Sequence, residues 1–409
     1  MKIGIVSEYY YPYVGGISEH VHFTYKYLKE WGANVKIITP LMKDLKYHAE
    51  YSSDWAGEED IIRIGLSKPF YYNGGFVRFT WPVGLSKNLK RVFESEKFDL
   101  IHVHAPLVPI LPVLAVKHSI CPVVGTFHTL FKKSLCYTIT KSYFQNILDK
   151  IDTCVAVSPL AAEAILKYFD VNFQIIPNGI DTELYKPENP PIDELMSDGV
   201  KNILFIGRFD PHNGLPVLLN AFTLVKRRYR NCRLVIVGDG PLAPQYKKMV
   251  PAEIKQSVLF VGTQHKLKPN YLASADILCQ PATLHSFSLV CLEAMASGVP
   301  VICSDLKAFR WLFEEDGVFV PPCDSEKLSE SILNLLEDPY KRMVLGERLR
   351  KRSLNFSWDK IISQIINIYN KTLNVREDYM FIPDYQVNYD FSKFGIDRED
   401  RPCYQNPLF

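Results

Sequence analysis

Short apolar runs punctuate the chain: "KIGIV", "VKIIT", "LIHVH", "PVVGT", "TCVAV", "NILFIG", "RLVIVG", "SVLFVG" and "PVICSD". Near-continuous apolar runs bounded by turn residues are the pattern of parallel strands covered on both faces. Between them the apolar positions recur with a helical period. Ile17, Val21, Thr24, Tyr25 and Leu28 share one face of a first segment, and Leu215, Leu218, Leu219, Phe222 and Val225 share one face of a second. Each segment sits within the same order of strand, glycine-containing loop, helix and strand. Strands that alternate with helices in this way predict an α/β protein built of two Rossmann-like, doubly wound domains. Ligands bind such sheets beyond the C-terminal strand ends, which places the expected site in a cleft that both domains face.

The stretch from Asp181 to Lys201 is rich in proline and acids and has little periodicity. It marks a boundary: a first domain over 1–187, a linker over 188–200 and a second domain over 201–355. "SWDKIISQIINIYNKTL" reads as a final amphipathic helix within 356–373. The tail, 374–409, is rich in Tyr, Phe, Asp and Pro, and its pattern predicts no fold.

Composition narrows the function. Of 409 residues 47% are apolar and 22% charged, the profile of a soluble globular protein, and a net charge of +2 provides no basic field for nucleic acid. Nine cysteines occur with no CxxC pair, the pattern of reduced core thiols. The most apolar run, Ala105 to Val116, is too short to span a bilayer and holds three prolines. "MKIGIVSEYYY" reads as a first strand, not as a signal peptide. The expected location is cytoplasmic, in solution or on a membrane surface.

Candidate chemistry gathers at the predicted strand ends. In "VGGISEH", Gly15 and Gly16 precede a helix whose free N–H groups and dipole suit a diphosphate. In "FIGRFDPHNG", Arg208 leaves a strand end, and its guanidinium is shaped for two phosphate oxygens. "VGDGP" follows a further strand and carries Gly238, expected at the donor site, and Gly240, but lacks the third glycine of a dinucleotide fingerprint. In "GTFHT", His128 follows a buried strand and suits hydrogen bonding to a sugar hydroxyl or phosphate, or proton transfer. Glu293 lies in the apolar helix "SLVCLEAMASG"; a buried acid there needs a partner, a lysine or N–H within the fold or the hydroxyls of a ribose. His102 and His104 share a strand face, yet no carboxylate or cysteine stands at metal-ligand spacing and no DxD pair occurs, so no metal and no cofactor are expected.

Two segments mix basic and apolar residues. Ser86 to Phe93 carries Lys87, Lys90 and Arg91 away from Leu85, Leu89 and Val92; Phe131 to Phe144 carries Lys132 and Lys133 among aromatics. Such segments suit an anionic lipid surface, where each basic residue contributes about 1 kcal/mol. They suit equally two solvated helices with one face on the core.

In order and spacing, "GGISEH", "HVHAP", "GTFHT", "AVSP", "IPNGID", "FIGRFDPHNG", "VIVGDGP", "LASADI" and "SFSLVCLEAMASGVPVI" resemble the family 4 retaining glycosyltransferases, from residue 1 to about 373. The resemblance implies the GT-B architecture, with the C-terminal helix crossing back to the first domain. "YYNGGFVRF", "HVHAPLVPILP" and "GTFHT" most resemble the phosphatidylinositol mannosyltransferases, peripheral membrane enzymes that use GDP-mannose. That likeness implies a nucleotide-sugar donor, a lipid-linked or polyol acceptor, and a place on the inner face of the cell membrane. It implies Gly16 near the donor diphosphate, His128 beside the transferred sugar, Arg208 on the diphosphate and Glu293 on the ribose. Ser286, Phe287, Ser288 and Leu289 fall in the same motif and are expected to line the donor.

Three positions depart from the family pattern. Asn213 stands where a lysine is usual, His285 where the first glutamate of the paired-glutamate motif is usual, and Ser288, after Phe287, replaces a glycine. Loss of the lysine removes positive charge from a diphosphate that gains negative charge as the sugar leaves. A protonated His285, or His212, beside the diphosphate would restore part of it. The alternative expectation is a catalytically degenerate protein that keeps the fold as a nucleotide-sugar-binding or membrane scaffold.

Overall fold

The computed structural model describes residues 1–13, 15–43, 56–72, 75–108, 110–128, 130–131, 134–196 and 199–373. The chain divides into two compact units. The first comprises residues 1–179 together with the helix that starts at Trp358; the second runs from Ile180 to Ser357.

In the first unit the described strands are β1 (Lys2–Val6), β2 (Asn34–Leu41), β3 (Ile61–Tyr72), β4 (Gly75–Thr80), β5 (Leu100–His104), β6 (Val123–Phe127), β7 (Thr153–Ala156) and β8 (Phe173–Ile175). They form one sheet in the order β4-β3-β2-β1-β5-β6-β7-β8. Every pairing is parallel except β3 with β4, which form an antiparallel edge. The strand order reverses direction between β1 and β5, a topological switch point. One face is covered by the helix Gly16–Glu30, which buries Val21, Thr24, Tyr25 and Leu28, and by the C-terminal helix Trp358–Thr372. The latter packs Ile361, Ile365, Ile368 and Tyr369 into the same core as Ile3, Ile5 and Ile37. It therefore returns to the first unit, as the resemblance implied.

In the second unit β9 (Lys201–Ile206), β10 (Cys232–Val237), β11 (Val258–Gly262), β12 (Ile277–Gln280), β13 (Val301–Ser304) and β14 (Val318–Val320) form a parallel sheet in the order β11-β10-β9-β12-β13-β14. Its switch point lies between β9 and β12. The helix Leu215–Arg228 buries the expected stripe of Leu215, Leu218, Leu219, Phe222 and Val225.

The division falls at Gly179, earlier than the boundary expected at 187. The proline-rich stretch, expected to be a linker, is stitched into the second unit: Ser274 Oγ accepts from Ile192 N at 2.7 Å, and Leu195 O accepts from Asn202 Nδ2 at 2.9 Å. Arg350 donates to the carbonyls of Thr182 and Tyr185. The helix expected to begin at 356 begins at Trp358; residues 354–356 form a 3₁₀ turn of the second unit. Cys121, Cys136, Cys154, Cys232, Cys279, Cys291 and Cys303 are free thiols, as expected, whereas Cys323 is disulfide-bonded.

Candidate functional site

The C-terminal strand ends of each sheet carry the candidate residues. In the first unit Gly15 is the N-cap of the helix Gly16–Glu30, with no side-chain cap, so Gly16 opens that helix beyond the end of β1. His128 follows β6 directly and is buried. His104, the last residue of β5, meets it: the two ring nitrogens, His104 Nδ1 and His128 Nε2, are 2.9 Å apart and the rings stack at 25°. His20, from the helix, packs edge-on against both rings. His102 bridges Tyr369 of the C-terminal helix, at 2.7 Å, and Thr126, at 2.6 Å.

Burial keeps this imidazole cluster uncharged. Desolvation pushes His20 down to about 4 and His102 to about 3, and drives His104 and His128 well below the usual histidine range, with mutual repulsion adding to it. His128 is therefore neutral at physiological pH, suited to hydrogen bonding and not to delivering a proton. Single-strand spacing missed this convergence. One nitrogen from each of His20, His104 and His128 lies within 4.8 Å of the others, an arrangement that could hold a metal ion. The direct contact between His104 and His128 satisfies one nitrogen of each without one.

In the second unit three loops crowd the switch point. Gly214, with φ +70, leaves no room for a Cβ, which would lie 1.9 Å from Pro281 O; Gly238, with φ +142, would likewise meet Gly207 O at 2.0 Å. Glycine thus lets the loops after β10 and β12 press on either side of the loop after β9. Gly238, expected at the ligand, has this packing role. Arg208 is half-exposed and donates through Nε to Asp210 Oδ2 at 2.9 Å, which orients it without withdrawing it from solvent.

Asn213 and His285 come from different loops and touch. Asn213 Nδ2 donates to Arg208 O at 2.8 Å, which turns Oδ1 toward His285 Nε2 at 3.2 Å. On the other side of the ring Nδ1 lies 3.2 Å from Phe287 O; both oxygens are acceptors, so the neutral ring donates to one of them at a time and only the protonated ring to both. Burial pushes His285 below the usual histidine range, with His212 adding to the effect, while the Phe287 carbonyl and Asp210 act against it. The expected protonated His285 therefore meets an opposing desolvation cost when no anion is bound.

Phe287 is buried edge-on against Trp311 and Phe356. Ser288 caps the helix Leu289–Ala296, its side chain accepting from Cys291 N, which accounts for a serine where the family has glycine. Ser286 and Leu289 are partly buried beside them. Glu293 is buried, and Lys268 Nζ donates to its Oε1 at 2.6 Å. Sequence reasoning allowed for a lysine partner but did not identify Lys268, which also lies over the Tyr185 ring. Of the expected membrane residues, Lys87, Lys90 and Arg91 are exposed on the helix Leu85–Glu96, whose Leu85, Leu89 and Phe93 face the core. Lys132 and Lys133 lie outside the described residues.

Comparison with known proteins agrees with these features. Residues 14–184 match the model described as Glycosyltransferase Family 4, and residues 200–338 match that of Glycosyl transferases group 1. The chain is 30% identical to the phosphatidyl-myo-inositol mannosyltransferase of Mycolicibacterium smegmatis, over 90% of its length and 93% of the relative's. It is 29% identical to the alpha-monoglucosyldiacylglycerol synthase of Streptococcus pneumoniae, over 74% of its length and 70% of the relative's. Among solved structures, Anabaena HepE in complex with UDP superposes with a TM-score of 0.73 at 19% identity, covering 91% of this chain and all of that one. Sucrose-phosphate synthase from Thermosynechococcus elongatus superposes with a TM-score of 0.71 at 22% identity, covering 92% of this chain. The two parallel-sheet units are those of the GT-B fold, and the chain belongs to the family 4 glycosyltransferases.

Proposed function

We propose that this enzyme moves a hexosyl group, with retention, from a nucleoside-diphosphate sugar to a lipid-linked or polyol acceptor at the inner face of the cell membrane, without a metal ion. GDP-mannose is the first donor to test. The observation that carries the reading is the gathering of Arg208, Glu293 and the Asn213–His285 pair around one sheet's switch point, where an α/β sheet binds its ligand. Arg208 would take the diphosphate and Glu293 the ribose. The first unit would add the helix at Gly16 and a neutral His128 that hydrogen-bonds the transferred sugar. The sugar's anomeric carbon loses its bond to the diphosphate oxygen and gains one to the acceptor oxygen. The acceptor's proton passes to the leaving phosphate on the same face. The protein's part is positioning and stabilisation of the charge that develops.

The acceptor class rests on the relatives. Their names pair two different sugars with two lipids, so the lipid acceptor is the shared element. Among the described residues no helix is long and apolar enough to cross a membrane. Contact with lipid would instead use exposed surface: Lys87, Lys90 and Arg91, and the apolar Leu135 and Ile139, each more than 70% exposed. Radiolabelled donors incubated with phosphatidylinositol or diacylglycerol vesicles test the reading. Transfer to one lipid supports it, and transfer only to a water-soluble acceptor would replace it with a soluble glycoside-forming activity.

A further inference from the structure

Two of the three positions that depart from the family pattern, Asn213 and His285, are 72 residues apart in the chain and in hydrogen-bond contact in the structure. Their loops are joined by two more contacts close by. Thr283 N donates to His212 O at 2.8 Å, and Gly214 packs directly on Pro281 O. Asn213 is tied in turn to the Arg208 carbonyl, and His285 to the Phe287 carbonyl, so the pair links the loop that carries Arg208 to the segment that opens the Glu293 helix. Where the family has a lysine and a glutamate, able to attract one another, this chain has an amide and an imidazole. A glutamate beside the Asn213 oxygen would set acceptor against acceptor, and a lysine beside His285 would pair only with an unprotonated Nε2, in place of the Nε2–H donation to Asn213.

We propose that Asn213 and His285 act as one clasp that positions the donor-binding loops. Both are positioning residues, and the proposal rests on the donor site described above. Because the contact is mutual, the effects of changing the two residues are coupled, whereas independent sites give effects that multiply.

The test compares the full-length protein with Asn213→Lys, His285→Glu and the double variant, reading donor affinity by calorimetry and melting temperature in parallel. Each single variant is expected to bind the donor about tenfold more weakly, and the double variant to return to within about threefold of the wild type. A double variant as weak as the product of the singles overturns the proposal. If a charged variant does not fold, His285→Gln and His285→Leu carry the test: glutamine, which keeps an amide donor toward Asn213, holds the affinity near that of the wild type, and leucine loses it. Equal affinity in these two variants overturns the proposal. A wild type that binds no nucleotide sugar overturns the functional reading instead, and coupling that then appears only in the melting temperature reduces the clasp to a structural contact.

Discussion

Lys268 Nζ donates to Glu293 Oε1 across 2.6 Å, and the carboxylate end of this ion pair is almost wholly excluded from solvent. A buried carboxylate is tolerable only with such a partner. Replacing Lys268 with methionine removes the partner and leaves the charge. The second unit is then expected to lose about 3–5 kcal/mol of stability in urea unfolding. A loss under about 1 kcal/mol would show that the pair is not the support the geometry indicates. Since Lys268 orients the proposed ribose acceptor, Lys268→Met is also expected to weaken donor binding.

Stability should depend on pH through two opposed sets of groups. Glu8 accepts from Ser67 Oγ and Thr80 Oγ1, yet burial raises its pKa to about 7. Folded Glu8 thus holds a proton that the unfolded chain releases above the ordinary glutamate value. Its contribution is full below about pH 4.5 and disappears as pH rises through 7, a change of roughly 3 kcal/mol. His20 and His102 act the other way. Their folded values are depressed, so their contribution is present above about 6.5 and falls away as pH drops toward 4. Urea unfolding at pH 5 and pH 8 separates them: Glu8→Gln is expected to be more stable than the wild type at pH 8 and close to it at pH 5. Equal differences at both values would contradict the assignment.

Membrane contact predicts a charge dependence. With Lys87, Lys90 and Arg91 all changed to glutamate, co-sedimentation with phosphatidylglycerol vesicles should fall by at least about tenfold, since each basic residue contributes about 1 kcal/mol near an anionic surface. The three side chains are exposed, so the fold should be unaffected. Unchanged sedimentation would remove this helix from the membrane face.

Much of this was legible from residues alone. Parallel strands covered on both faces leave continuous apolar runs, and the helices between them show a clear period, so both sheets and both loop-to-helix turns could be read. The antiparallel edge of β3 and β4 could not, because Arg63, Lys68 and Pro69 break its pattern. β8, β12 and β14 are only three or four residues long. Arg208, Glu293 and His128 announced themselves as polar residues next to apolar strands or within an apolar helix. Lys268 did not, because a lysine in "HKLKPNYL" looks solvated and its partner is 25 residues away. The meeting of His20, His104 and His128 depends on sheet order, which spacing within one strand does not encode. The contact between Asn213 and His285 was foreseen only as a coupling of charge; the structure gives it the form of a hydrogen bond.

The most direct measurement is a calorimetric titration of the purified chain with GDP-mannose, UDP-glucose and UDP-N-acetylglucosamine, run beside an Arg208→Ala variant. The account predicts micromolar binding of one donor by the wild type and a loss of about a hundredfold in the variant, the scale of removing a preorganised contact to a charged group. Binding that survives in Arg208→Ala, or no binding of any donor by a well-folded wild type, would contradict it.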